Sequence, residues 1–407
     1  EIVELDTSAV YDSTGLYRIH LYKTRFTLDF AQAYYAFDTR YGGQGMAYFL
    51  FSDILGDHKL QLGTEMVVDL QRSDYFLLYR LLPYKIDWNF AFYHLAYPQP
   101  YWYPQPKLYQ NFGSSINASK PLSRFTRIDG GIDFNHIITS RILPLYNEYG
   151  QLYDEEIIYD DSFSTLVPSI KYIWDNALWS YTHPVEGFRY FLKYRTSPGI
   201  NKKSLTFHSA TMDGRKYLHL FNGVSIAGRL FSGTNWGSDA QKFRLGGVPC
   251  VFPNECYHGR FTDDGILAEE LYFSEYVMPL RGKQKSNKLG NNVLLVNLEL
   301  RLPFLIYYFP AIKYLGQING VIFTDFGVAW NNKYPEFWDV CSWESSITTN
   351  DDCDINEDYT GWAMSYGFGP RFIFLGLPWQ LDYAWQYNPH KGTVSDRNWY
   401  LTIGLDF

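Results

Sequence analysis

V-L-L-V-N-L-E-L-R-L-P (Val293 to Pro303) and V-I-F-T-D-F-G-V-A-W (Val321 to Trp330) are the segments whose reading decides the fold. Side chains alternate along a β-strand, so residues two apart share a face. In the first segment Leu294, Val296, Leu298, Leu300 and Leu302 fall on one face, and Asn297, Glu299 and Arg301 on the other. In the second, Val321, Phe323, Asp325 and Gly327 share a face. Each reads as a strand that turns a carboxylate toward the same side as its small or polar residues. Upstream stand F-R-L-G-G (Phe243 to Gly247), a long polar loop, and M-P-L-R-G (Met278 to Gly282). Arg281 thus sits between two helix-breaking neighbours, Pro279 and Gly282.

The same alternation recurs outward from this centre. In Trp379 to Tyr387, the residues Trp379, Leu381, Tyr383, Trp385 and Tyr387 oppose Gln380, Asp382, Ala384 and Gln386. The chain ends W-Y-L-T-I-G-L-D-F, with Trp399, Leu401, Ile403, Leu405 and Phe407 on one side and Tyr400, Thr402, Gly404 and Asp406 on the other. Aromatic residues make up 19% of the chain, yet mean hydropathy is only −0.26. No apolar run of about 18 residues exists, so no transmembrane helix can be drawn. Strands with one apolar and one wet face, rich in Tyr and Trp, are what a transmembrane β-barrel demands. The expected fold is therefore all-β, a transmembrane antiparallel β-barrel. The net charge of −8 argues against a nucleic-acid surface.

Earlier in the chain, Glu1 to Leu21 is polar and irregular, and residues 1–22 read as a lead-in. The chain opens on Glu1 with no signal peptide, so a processed or truncated product, with a periplasmic region upstream, is expected. From residue 23 the alternation starts, placing Phe26, Leu28 and Phe30 on one face. Tyr41 to Gly45 (Y-G-G-Q-G) reads as a turn, and so does S-D-I-L-G-D-H (Ser52 to His58). Asp53, Asp57 and His58 suit turn chemistry better than a metal site. Tyr97 to Pro106 is a Pro/aromatic loop, read equally as a partner-binding surface or a cap on the barrel mouth. Further strands are expected at 125–138 and 164–174. In Gly187 to Arg195, the cations Arg189, Lys193 and Arg195 share a face and must turn away from lipid, where each costs roughly 2–4 kcal/mol near the midplane.

The ordered set of L-G-G, R-G, the glutamate strand and D-x-G resembles the outer-membrane assembly-factor and two-partner-secretion superfamily, the BamA-like or bacterial surface antigen barrels. Taken singly, Arg281 reads as a solvated loop charge, and Glu299 and Asp325 as the lining of a wet lumen. Their order and spacing, with Gly246 and Gly247 ahead of them, carry the resemblance. It implies sixteen strands over residues 23–407, long extracellular loops, and a loop around 248–291 that folds back into the barrel. It also implies that Arg281, followed by Gly282, meets Glu299 and Asp325 there. Lys283 departs from the aromatic the family usually has after R-G. The terminal alternation resembles an outer-membrane recognition signal. The implied seam joins the first strand, near Phe26, to the last, through Trp399 to Phe407. K-x-R-F-T-L-D-F followed by S-D-I-L-G-D-H resembles barrel regions attached to TolB-like propellers, which implies that an N-terminal propeller is possible.

The implied function is insertion or export of other proteins at the bacterial cell outer membrane. Outer-membrane lipids and periplasmic or outer-membrane proteins are the expected partners. The alternative is a structural or adhesion barrel, or a pore subunit, whose loops bind partners. Four cysteines in predicted loops suggest disulfides in an exported protein, with Cys250–Cys256 and Cys341–Cys353 favoured because each closes a local loop. Neither pair has metal-ligand spacing. There is no H-E-x-x-H, G-x-S-x-G, P-loop or dinucleotide fingerprint. His208-Ser209 is poor evidence for a hydrolase, because strand neighbours point to opposite faces. No enzyme activity, cofactor or metal is expected.

Overall fold

The computed structural model describes residues 22–38, 42–67, 72–99, 105–149, 152–180, 183–221, 223–248, 268–282, 288–303, 318–331, 361–388, 393–394 and 398–404. The strands in order are β1 (Thr27–Asp38), β2 (Gly42–Ser52), β3 (His58–Val67), β4 (Asp74–Leu81), β5 (Asp87–Pro98), β6 (Lys107–Pro121), β7 (Thr126–Tyr146) and β8 (Leu152–Asp175). They continue with β9 (Leu178–Trp179), β10 (Pro184–Pro198), β11 (Thr206–Phe221) and β12 (Val224–Trp236). A connecting stretch then supplies β13 (Phe243–Leu245), the single-turn helix α1 (Ala268–Phe273), β14 (Glu275–Val277) and β15 (Lys288–Gly290). The chain resumes with β16 (Asn292–Leu302), β17 (Asn319–Trp330), β18 (Gly361–Phe374), β19 (Leu377–Asn388), β20 (Thr393–Val394) and β21 (Asn398–Ile403).

Eighteen strands form one sheet, and β13, β14 and β15 form a second, three-stranded one. In the large sheet the strands pair antiparallel in chain order, with β8 and β9 both lying against β10, β20 and β21 both against β19, and β12 pairing with β16 across the small sheet. Such a meander is reached by short hairpins and needs no crossover connection. Two turns at one end, 53–57 and 122–125, are tight: Asp53 Oδ1 accepts from His58 N at 2.9 Å, and Ser123 Oγ accepts from Thr126 N at 3.1 Å. The two edges of the sheet are β1 and β21; among the described residues no pairing joins them.

The two faces are inverted relative to a water-soluble sheet. On one, the charged side chains of Arg301, Asp325 and Arg371 are at most 1% exposed. On the other, Leu298, Ile322 and Phe368 are 50 to 52% exposed. Buried charge inside and exposed apolar residues outside is the polarity of a strand wall between lipid and a polar interior. Among the described residues no helix is long and apolar enough to cross a membrane.

The small sheet packs against the charged face. Phe243, Leu245, Val277 and Leu280 cluster with Phe231, Val293, Leu295, Ala329 and Ala363 of the wall, all nearly fully buried. On a second patch Phe273 of α1 joins Phe207, Tyr109, Ile137 and Val167. The connecting stretch between β12 and β16 therefore contributes a core of its own, seated inside the curve of the sheet.

Several sequence expectations need correction. Leu28 and Phe30 do not share a face: a bulge shifts the register between them, so Leu28 pairs with Phe51 and Phe30 with Leu50. An extra residue in one strand moves the following side chains to the opposite side. Gly42 to Gly45 belong to β2, paired with Asp38 to Tyr35, so G-G-Q-G is strand and not turn. A whole strand, β6, is missing from the sequence reading, because N-F-G-S-S-I-N-A-S has turn-type composition. β7 and β8 run well beyond 125–138 and 164–174. Cys250, Cys256, Cys341, Cys353, Lys283, Phe407 and residues 1–21 lie outside the described residues, and with them the disulfide pairs.

Candidate functional site

The alternation that makes β16 and β17 strands also sets their inward charges side by side. Asn297 lies directly opposite Asp325, and Glu299 opposite Phe323. Alone, two carboxylates on adjacent strands repel each other in a dry interior. The connecting stretch places Arg281 between them. Its Nη1 donates to Glu299 Oε1 at 2.7 Å. Its Nε and Nη2 donate to Asp325 Oδ2 and Oδ1 at 2.8 and 2.7 Å, and its backbone N donates to Oδ2 at 3.0 Å. The bidentate partner is thus Asp325, with Glu299 holding the third donor. Only a planar guanidinium can serve both in this way. The Arg281 guanidinium also lies 3.6 Å from the centre of the Phe323 ring. A desolvated cation–π contact of this kind is worth about 2 kcal/mol.

The remaining capacity of the carboxylates is filled by groups the sequence reading did not single out. Arg301 grips Glu299 Oε2 through Nε at 3.0 Å and Nη2 at 2.8 Å, and its Nη1 donates to the Pro184 carbonyl at 2.9 Å. Asn297 Nδ2 donates to Asp325 Oδ1 at 2.8 Å and to the Pro279 carbonyl at 2.9 Å. Nearby, Arg371 pairs with Asp382 at 2.8 Å. Arg301 and Asn297 carried a legible signal, since they share the inward face with Glu299. Arg371 carried none, because its partner belongs to another strand.

Glycines shape the approach. Gly246 and Gly247 have φ of +127° and +82°, where a side chain is disfavoured. Leu280 N donates to Gly247 O at 2.9 Å, and Gly247 N to Leu280 O at 3.2 Å. The L-G-G turn thereby clasps the residue preceding Arg281. Gly282 has φ of +80°, and a Cβ there meets Ser365, Gln386 and Ala384 at 3.3 to 3.5 Å. Its carbonyl accepts from Gln386 and, at 3.2 Å, from Asn398 Nδ2. So the connecting stretch is tied to β16, β17, β19 and β21 within three consecutive residues.

Two of the proposed seam markers, Phe26 and Trp399, stand at the two edges of the sheet. Phe26 stands just ahead of β1 with its ring edge-on to His58, and Trp399 stands outward on β21, 57% exposed. No described contact brings them together. His208 points outward to Tyr194 and Thr196, while Ser209 is buried on the other face, so the dipeptide forms no catalytic pair. No group of three metal-ligating side chains occurs among the described residues.

Comparison with known proteins gives the arrangement a context. The model of the Omp85 superfamily domain matches residues 109–407. No curated protein matches in sequence. Among solved structures, BamA from Haemophilus ducreyi lacking POTRA domains 1-3 superposes with a TM-score of 0.59 at 14% identity, covering 93% of this chain and 70% of that one. CdiB from Escherichia coli gives 0.48 at 9% identity, and CdiB from Acinetobacter baumannii 0.46 at 13%. Each covers 95% of this chain, which spans 63% and 60% of their respective lengths.

Proposed function

The chain belongs to the Omp85 superfamily, and from that premise we propose that it is a bacterial outer-membrane β-barrel acting in the insertion or export of other proteins. The observation that carries this reading is the Arg281 cluster. It fixes the connecting stretch inside the sheet through Asp325 and Glu299, while among the described residues β1 and β21 stand as the two edges of that sheet. Counting β8 with β9, and β20 with β21, as single staves gives the sixteen-strand barrel we assign, since β9 extends the β8 side of β10 and both β20 and β21 pair with β19. The seam between the first and last staves is the proposed working edge, and the loop anchored by Arg281 is its inner support. Outer-membrane lipids surround the apolar face. Periplasmic or outer-membrane proteins are the proposed partners, and a TolB-like propeller is the proposed upstream neighbour.

The test is assembly of a client. The full chain is reconstituted in phosphatidylethanolamine/phosphatidylglycerol vesicles and given an unfolded small barrel protein. Folding of the client is read as heat-modifiable migration. Faster folding than in empty vesicles is expected, with loss of the effect in Arg281→Ala. Ion conductance without any acceleration of client folding would replace this function with that of a pore.

A further inference from the structure

We propose that the lumen at the tight-turn end of the sheet is a binding vestibule for an acidic peptide segment. Two cavities of about 540 and 650 Å³ meet there and share Arg189 and Arg215. Arg189 lies directly opposite Arg215, and Arg215 directly opposite Arg229, on three consecutive strands. Four residues farther along β10, Lys193 lies directly opposite Lys171. Like charges in directly opposed positions destabilise a sheet, so two such rows on one wall call for a compensating ligand or a functional reason.

The wall's own carboxylates offset only part of this charge. Asp175 takes Arg189 at 2.7 Å, and Asp213 is shared between Arg215 and Arg229 at 2.8 and 2.9 Å. The Lys171 ammonium rests 4.2 Å over the Phe191 ring. Counted with their ion-pair partners just outside the linings (Asp129, Asp325, Arg301 and Arg371), the two cavities together hold nine cations to seven carboxylates. The chain as a whole carries −8, so the surplus is local and opposite in sign.

The arrangement selects the ligand class. The positive groups are spread along two connected cavities and interrupted by carboxylates, which matches separated carboxylates on an extended chain better than one compact phosphate. Trp179 and Phe191 add apolar surface between the charges. The exposed turn residues Ser123 and Arg124 form the rim. The vestibule rests on the function proposed above only in assigning this end to the periplasm.

The experiment titrates the detergent-solubilised full chain against a fluorescein-labelled decapeptide alternating Glu with Gly and Ser, and against its Lys counterpart. Fluorescence anisotropy should show binding of the Glu peptide alone, weakening as salt rises. Lys171→Gln and Arg124→Gln should each weaken it about fivefold, the upper range for a solvent-accessible ion pair, with unchanged β-type circular dichroism. Lys203→Gln, at the opposite end of the sheet, should leave affinity unchanged. Equal binding of both peptides, unaltered affinity in both vestibule variants, or displacement by inorganic phosphate at matched ionic strength overturns the proposal. The readout needs neither membrane nor client, so its failure is distinguishable from failure of client assembly.

Discussion

Leu245 and Gly327 are fitted to each other: a Cβ on Gly327 would lie 2.9 Å from Leu245 Cδ2, and 3.3 Å from Leu280 Cδ2. The glycine of D-x-G is therefore the floor on which two leucines of the inner stretch rest. Gly327→Val adds volume where none is free, and overpacking of this sort costs about 1–3 kcal/mol. Amides of β13 and β14 should exchange hydrogen faster by mass spectrometry, while those of β16 and β18 stay protected. Unchanged exchange in β13 and β14 would show that the inner stretch does not depend on this contact.

Arg281 separates charge from packing. Arg281→Ala leaves Glu299 and Asp325 buried without their shared cation, and removing one member of a buried pair costs about 3–5 kcal/mol. The cost falls on the inner stretch, because the ladder between β16 and β17 is backbone hydrogen bonding. The protein should still migrate as a folded species, and a protease should cut the connecting stretch faster. Arg281→Lys should lie between the two, since an ammonium cannot make the bidentate contact with Asp325. Protease rates equal to the parent's in both variants would remove the anchoring role.

The charge cluster was legible in the sequence because strand periodicity fixes which side chains share a face. Glu299 and Arg301 are two apart on β16, and Phe323 and Asp325 two apart on β17. The partnership between Arg281 and Asp325 spans 44 residues and no periodicity encodes it; only the resemblance supplied it. What was illegible has physical causes. The bulge between Leu28 and Phe30 leaves no compositional mark. β6 is rich in Ser and Asn because its inner face is polar and packed, with Tyr93 lying over Gly113. The Arg189, Arg215 and Arg229 row depends on the pairing of three strands, which a single strand's pattern does not specify.

Glu299 tests how the two arginines share one carboxylate. Arg281 holds Oε1 and Arg301 holds Oε2. Glu299→Gln keeps the shape but removes the charge, leaving Arg281 on Asp325, taking from Arg301 the carboxylate it grips, and forcing an amide to turn its N–H₂ toward one of the two cations. Chemical unfolding in detergent should show a loss of about 3 kcal/mol or more. The double variant Glu299→Gln, Arg301→Met should recover part of it, because replacing a buried charged group by an apolar one of similar volume removes the cation that has lost its carboxylate. A double variant no more stable than the single one would mean that Arg301 is not the destabilised partner.

Leu298 decides whether the outer face meets lipid or water. It stands midway along β16, with its side chain 50% exposed on the apolar face. Eleven residues of strand extend roughly 36 Å, which tilted spans an apolar band of about 25 Å, so Leu298 falls near the midplane. In a water-soluble sheet, Leu298→Arg exchanges an exposed apolar side chain for a charged one and is nearly neutral. In a membrane barrel the same change costs about 2–4 kcal/mol. Ile200→Arg, at a position 55% exposed in the turn after β10, lacks that lipid penalty and serves as the reference. Folding into lipid vesicles, followed by heat-modifiable migration across a urea series, should show Leu298→Arg shifted to lower urea by far more than Ile200→Arg. Equal shifts, or release of the parent protein from vesicles by alkaline washing, would place the apolar face in water and remove the outer-membrane assignment.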